Sequence, residues 1–270
     1  MMEGRHIISV IIPSYNHRDY VEEAIGSVLG QKRGEFDVEL IVIDDGSTDG
    51  SVKKLQEYQE RMKGQFKLVL KDNEGLCKTL NRAINEFSTG DYIAIIASDD
   101  IWHEEKLIRQ FSHLLANPSS QLCFSNAQTF GDATSGQIAS RFLYAGNVRN
   151  ILTLYNFIPA GTILFSRRLY EAAGGFDENG LRLEDWDFLQ RASTITEFCY
   201  VDEPLLFYRI HSGSSLAKMR ADRTLFGEKM KVWRKNRRLL NPGLQLVAMV
   251  AHFGLEFVLR PLLPYVRRRK

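Results

Sequence analysis

Cysteine is scarce and unpatterned in this chain. Cys77, Cys123 and Cys199 are odd in number, widely spaced and never part of a Cys-x-x-Cys pair, which argues against a disulfide framework and a cysteine zinc site and makes a reducing cytosol the expected compartment. Net charge of one sign is missing too: the formal value is +2, too near neutral for the basic face that nucleic-acid binding requires. The early apolar run Ile7 to Ile12 is too short for a signal peptide and leads directly into Pro13 and polar residues. There is no internal repeat and no low-complexity tract. Two nucleotide fingerprints are absent as well. Where a dinucleotide fold would carry G-x-G-x-x-G, Pro13-Ser14-Tyr15-Asn16 stands, and Gly75-Leu76-Cys77-Lys78-Thr79 lacks the glycine spacing of a P-loop.

What remains is an ordinary globular composition. The 270 residues are 44% hydrophobic and 25% charged, which suits one large α/β domain with a helical appendage and one active site. Short β-branched runs at Ile7–Ile12 and Val38–Ile43 read as strands buried on both faces of a mostly parallel sheet, and Phe66–Leu70 and Tyr92–Ala97 extend the pattern. Helical periods alternate with them: Val21, Ile25, Val28 and Leu29; Leu76, Leu80, Ala83, Ile84 and Phe87; Leu107, Phe111, Leu114 and Leu115. Asp19 with Glu22 predicts a capping box for the first helix, and Gly30 a left-handed stop. After Asn126 the regularity fades, and small polar residues run to Gly146.

Ligands of open α/β sheets bind beyond the carboxyl ends of the strands. At those ends the sequence has Pro13-Ser14-Tyr15-Asn16, then Asp44-Asp45-Gly46-Ser47, then Ser98-Asp99-Asp100. Carboxylates after strands are most often turn or cap devices, a reading that suits Asp49. Adjacent carboxylates, however, repel unless a cation or donor groups compensate them. Hard oxygen ligands suit Mg²⁺ or Mn²⁺, ions that commonly bridge to substrate phosphates, so a nucleotide diphosphate is a plausible ligand.

The ordered series Val10-Ile11-Ile12-Pro13-Ser14-Tyr15-Asn16, Ile43-Asp44-Asp45-Gly46-Ser47-Thr48-Asp49, Asn73-Glu74-Gly75, Ser98-Asp99-Asp100, Gly175-Phe176-Asp177-Glu178, Glu184-Asp185 and Tyr208-Arg209-Ile210-His211 resembles the family 2 glycosyltransferases of GT-A fold. The resemblance covers roughly residues 7 to 215. It implies a GT-A catalytic domain over residues 1–215, a Rossmann-like mostly parallel sheet flanked by helices, and a C-terminal helical, apolar and basic tail over 216–270. It also implies an inverting, metal-dependent transfer of a sugar from a nucleotide diphosphate to an acceptor hydroxyl. By that resemblance Pro13, Tyr15 and Asn16 line the nucleotide pocket, Asp44 and Asp45 contact base and ribose, and Gly75 and Lys78 border the nucleotide. Asp99 touches the ribose or the metal shell, Asp100 holds Mg²⁺ or Mn²⁺, and His211 serves the metal and diphosphate. Asp185 is implied as general base. A helix start, where acidic residues suit the macrodipole, is the structural alternative for Glu184-Asp185.

Similarity of the Asn73–Asn81 and Ala97–Trp102 stretches to bacterial rhamnosyltransferases points to dTDP-rhamnose or a UDP-sugar as donor. The implied acceptor is a glycan or lipid-linked glycan, in lipopolysaccharide or other surface polysaccharide synthesis. Two rival readings stay open: a glycoside hydrolase, since paired carboxylates define that class too, and a degenerate nucleotide-sugar binding module.

The tail carries its own expectation. Apolar residues dominate Leu244–Leu259, with a narrow polar stripe at His252 and Glu256 that Arg260 continues. That run falls short of the roughly 20 residues needed to cross a bilayer, and Pro261 and Pro264 follow it. It packs on the domain, pairs with another copy, or meets the inner membrane surface with Arg267 to Lys270 against anionic lipid. The protein is expected to be cytoplasmic, with any membrane contact peripheral.

Overall fold

A computed structural model describes residues 5–131, 144–211 and 214–259. Strands β1 (His6–Ser14), β2 (Phe36–Asp45), β3 (Lys67–Lys71) and β4 (Tyr92–Ile95) form a parallel block. Beyond it the sheet becomes mixed. The full order is β3-β2-β1-β4-β7-β6-β8-β5, where β5 is Ile101–Trp102, β6 Ser120–Gly131, β7 Leu164–Ser166 and β8 Glu197–Ile210. Strand β7 runs antiparallel to both neighbours, whereas β6 and β8 are parallel to each other.

Alternation along the buried strands divides the apolar side chains between two cores. Ile8, Val10 and Ile12 of β1 and Leu40 and Val42 of β2 face one way, onto α1 (Val21–Leu29), α2 (Ser51–Arg61) and α4 (Lys106–Ala116) through Val21, Ile25, Leu55, Leu107 and Phe111. Ile11, Ile41 and Ile43 face the other way, onto α3 (Leu76–Arg82), α5 (Arg149–Leu154), α6 (Arg167–Ala173) and α7 (Glu184–Ala192). The result is a helix–sheet–helix sandwich.

Several local expectations are corrected. Helix α1 opens at Val21 with Tyr20 in the cap position and no side-chain cap. The His17 carbonyl takes the Tyr20 and Val21 N–H groups, and Glu22 instead pairs with Arg61 and Lys54. Gly30 sits at φ −80°, not in the left-handed region, because its N–H closes the last turn on Gly26 O. Regular structure also persists past Asn126: β6 continues to Gly131 along β8, with register shifts around Ser125 and Asn126. Residues 132–143 of that expected irregular stretch lie outside the described residues. The helix α2 was not read from the sequence.

Helices α8 (Ser215–Ala221), α9 (Leu225–Asn236) and α10 (Pro242–Phe253) follow β8, and a π-helical turn, Gly254–Leu259, continues the last. Helices α9 and α10 share the second core through Val232, Trp233 and Ala248. Trp233 is buried, meets Trp186 edge-on at 5.5 Å and donates its indole N–H to Thr153 O at 2.9 Å. Beside it Asp187 of α7, fully buried, accepts from Arg191, from Lys235 at 2.8 Å and from Asn236 at 3.0 Å. Asp187→Ala takes the carboxylate from Arg191 and leaves the Asn236 amide with Gln190 alone and Lys235 with Asp177 alone. Breaking a buried pair typically costs about 3–5 kcal/mol, so denaturant unfolding should show a loss of that size. A change within experimental error would mean that the cluster contributes no stability.

Candidate active site

The loops after β1 and β2 are built on each other. Asn16 adopts φ 54°, a left-handed conformation that Asn tolerates better than most residues. From there its N–H reaches Ser47 Oγ at 2.8 Å and its Oδ1 accepts the Thr48 N–H at 2.8 Å. Gly46, at φ 74°, lies so close to Asn73 that a Cβ would stand 2.7 Å from the Asn73 amide nitrogen, which excludes other residues there. Asp49 accepts from the Arg18 and Ser51 amides and the Ser51 hydroxyl, a turn carboxylate as its position suggests.

The pair Asp44-Asp45 is compensated from within. Asp44 is fully buried and accepts from the Ser14 hydroxyl at 3.0 Å, the Ser47 amide at 2.8 Å and the Ser47 hydroxyl at 2.7 Å. Asp45 accepts from Lys71 and from the Glu74 and Gly75 amides at 2.9 and 3.0 Å. The repulsion that suggested a cation is thus answered at this pair by hydroxyls, amides and an ammonium group. Tyr15 stays 49% exposed beside this edge. Pro13 ends β1, partly buried, and Lys78 lies exposed in the first turn of α3.

The second pair lies one strand over. Strand β8 crosses the end of β4 so that the Arg209 N–H donates to Asp100 Oδ1 at 2.8 Å and Arg209 Nε to the Asp99 carbonyl at 2.7 Å. The guanidinium lies between Tyr20 and Phe130, 4.6 and 4.4 Å from their ring centres, and reaches Glu23. Two residues on, His211 Nε2 is 2.8 Å from Asp99 Oδ2. His17 completes the group: its Nδ1 is 2.8 Å from Ser98 Oγ and its Nε2 3.9 Å from Asp99 Oδ2. One ligand atom each from His17, Asp99 and His211 falls within 4.8 Å of the others. Burial lowers the His17 pKa below its ordinary value, with the His211 charge adding to the effect against Asp99, so the imidazole is neutral at pH 7. Asp100 is buried, and that burial, reinforced by Asp99, pushes its carboxyl well above the usual range.

The dyad opens α7, as the helix-start reading expected. Asp185 accepts from Asn156 Nδ2 at 2.8 Å. Desolvation raises both carboxyls, Glu184 to about 8 with the Asp185 charge as second cause, while the Trp186 amide and Asn156 pull Asp185 back. The Tyr208 phenol is raised to about 12 by burial first, then by the charges of Asp100, Asp99 and Asp185.

The sequence profile described as glycosyl transferase family 2 matches residues 9–174. The chain belongs to this family. Among curated relatives, Bacillus subtilis TuaG, provisionally named a teichuronic acid biosynthesis glycosyltransferase, is 37% identical over 115 residues, 43% of this chain and 44% of that protein. Among solved structures, Staphylococcus aureus TarS 1-349 in complex with UDP-GlcNAc superposes with a TM-score of 0.63 at 22% identity, over 82% of this chain and 66% of that one. The mannosyltransferase PcManGT from Pyrobaculum calidifontis, in complex with GDP-Man and Mn²⁺, gives 0.63 at 17%, over 92% and 80%. These two share the α/β GT-A fold with this chain. The chain spans 66%, 44% and 64% of the lengths of the first three curated relatives that it matches.

Within this family 2 domain the structure brings His211 and Asp99 together, adds His17, and sets Asp100 directly behind them. His17 was missed in the sequence. Its signal was positional, since it follows Pro13–Asn16 at the same strand end, but an isolated histidine in a loop carries no partner in its spacing. Asn156 was missed for the same reason. The donor set of two imidazoles and a carboxylate fits a divalent transition-metal ion that accepts nitrogen ligands better than Mg²⁺, which prefers oxygen.

The raised Glu184 carboxyl yields a pH prediction. Unfolded, this group ionises near 4.5, whereas folded it does so near 8, so its contribution to stability is complete below the lower value and fades as pH rises through the upper one. Glu184→Gln removes this penalty. Its Tm relative to the parent should climb from pH 4.5 to about 8 and then level. A difference that does not change with pH would show that Glu184 titrates normally.

Proposed function

We propose that this chain is an inverting, divalent-metal-dependent glycosyltransferase of the hexosyl type, with Asp185 as the general base. The observation that carries the proposal is the grouping of His17, Asp99 and His211, one ligand atom of each lying within 4.8 Å of the others, in a chain of glycosyl transferase family 2. Tyr15, half exposed, offers an aromatic face to the base of the nucleotide. Gly75 and Lys78 border the diphosphate, with Lys78 supplying positive charge from an exposed turn. Pro13 and Asn16 shape the wall, Asp45 positions the Glu74 and Gly75 amides, and Asp44 meets the nucleotide through the Ser47 loop that it organises.

Asp99, His211 and His17 would hold the ion, with Asp100 as a further carboxylate beside them. A bound Mn²⁺ or Mg²⁺ would neutralise charge on the diphosphate. Asp185 takes the acceptor hydroxyl proton as that oxygen bonds to the anomeric carbon. The bond from that carbon to the diphosphate oxygen breaks, its electron pair leaving with the nucleotide. Asn156 holds the Asp185 carboxylate in place for this transfer.

The donor we favour is dTDP-rhamnose or a UDP-sugar, on the likeness to rhamnosyltransferases. The acceptor is a glycan or lipid-linked glycan of a cell-surface polysaccharide, lipopolysaccharide among them, a class to which TuaG's name also points. The reaction belongs on the cytoplasmic face of the membrane.

Two measurements test this reading. Asp185→Asn keeps the size of the side chain and removes the base, so transfer should fall by at least about 10²-fold while nucleotide affinity measured by calorimetry stays the same; near-normal transfer with a lowered Tm would reduce Asp185 to a helix-start carboxylate. Excess chelator should abolish nucleotide diphosphate release from a screened donor, and Mn²⁺ should restore it. Undiminished turnover in chelator would remove the metal from the mechanism.

A further inference from the structure

Helix α10 is mounted with its polarity reversed. A surface helix normally turns its apolar stripe to the core and its polar residues to water. Here the polar stripe is the inner one. Gln245 is buried with its amide on Trp233 O at 3.3 Å, and His252 sits against Trp233 with Nε2 3.0 Å from Leu154 O and Nδ1 2.9 Å from Lys229 Nζ. On the outer side Leu246, Val247, Val250 and Phe253 are 62, 59, 66 and 52% exposed, and Leu255 and Phe257 follow at 55 and 43%. Half of the large exposed apolar side chains among the described residues thus fall within twelve positions of one helix. Phe226 of α9 joins Phe253 and Phe257 in an aromatic cluster with ring centres 4.9 to 5.7 Å apart. Contiguous apolar patches of this kind mark an interaction surface.

Charge identifies the occupant. Residues 229–270 carry eleven lysines and arginines against one acidic residue, Glu256, a net of +10 in a chain of net +2, which leaves −8 on residues 1–228. Arg234, Arg237 and Arg238 are exposed at the end of α9 and just beyond it; Arg260 and Arg267–Lys270 lie outside the described residues and enter here by sequence alone. In a two-fold dimer each patch faces its own copy, which sets +10 against +10. Anionic headgroups have the opposite sign. No helix among the described residues is long and apolar enough to cross a membrane, so the element lies in the interface plane instead.

We propose that α10 and its continuation to Leu259 form a docking surface for an anionic phospholipid bilayer, the outer apolar side chains entering the headgroup boundary and the surrounding basic residues meeting the phosphates. This surface does not depend on the donor site. The test is flotation of the whole chain with phosphatidylcholine vesicles, with and without phosphatidylglycerol, alongside light scattering and nucleotide-diphosphate calorimetry. The protein should float with the anionic vesicles and be released by added salt. The double substitution Leu246→Glu, Val250→Glu should lower the bound fraction by about tenfold or more, with Tm and nucleotide affinity kept. Neutralising Arg267–Lys270 to glutamine, which leaves the helix untouched, should weaken binding to anionic vesicles in the same direction. Equal flotation of both variants, or no flotation of the parent chain, overturns the proposal. A parent dimer that the double substitution splits, without vesicle binding, assigns the face to a second copy instead.

Discussion

The hold of Arg209 on the end of β4 is the constraint on which the site rests. Its amide fixes Asp100, its guanidinium nitrogen fixes the Asp99 carbonyl, and the stacking of that guanidinium between Tyr20 and Phe130 brings in the α1 loop and β6. Residues a hundred positions apart are thereby set in register, and His211 and Tyr208 follow from that register without further contrivance. The arrangement gives the two adjacent carboxylates different partners: Asp99 faces the His211 imidazole while Asp100 accepts from the Arg209 amide.

The first hundred residues were legible because buried parallel strands announce themselves. Ile7–Ile12 and Val38–Ile43 are apolar on both faces, and both fall inside strands at the centre of the sheet. Strands β6 and β8 were not, since they pair with each other across some eighty residues and carry polar positions such as Ser125, Asn126 and Arg209 that make sense only in that pairing. Helix α2, with only Ser51 and Leu55 buried, has too narrow an apolar stripe to read. Caps fared worst. Asp19 and Gly30 have the residue types of helix ends, yet local backbone hydrogen bonds to the His17 and Gly26 carbonyls mark where α1 starts and stops.

The site was legible as a set of acidic pairs and illegible in its division of labour. Both Asp44-Asp45 and Asp99-Asp100 look alike as letters, but the first is satisfied by Ser14, Ser47, Lys71 and two backbone amides, whereas the second faces imidazoles. No spacing rule distinguishes them, because the deciding partners come from other strands. His17 and Asn156 are the same lesson in reverse: each is unremarkable in its own segment and becomes informative only once Asp99 or Asp185 is beside it.

Lys235 joins the last third of the chain to the helix that bears Asp185. It contacts both Asp177 and Asp187, and Asp187 stands two residues after the dyad's second carboxylate. The consequence is for modular engineering. A chimera that exchanges the segment after β8 for a foreign one, to redirect the enzyme to another acceptor or location, leaves the buried Asp187 with Arg191 alone and takes the Lys235 cation from Asp177, unless the graft restores a cation at this point. The unit that can be transplanted therefore ends beyond Asn236, and recombination breakpoints placed at the apparent end of the catalytic fold would cut through its electrostatic support.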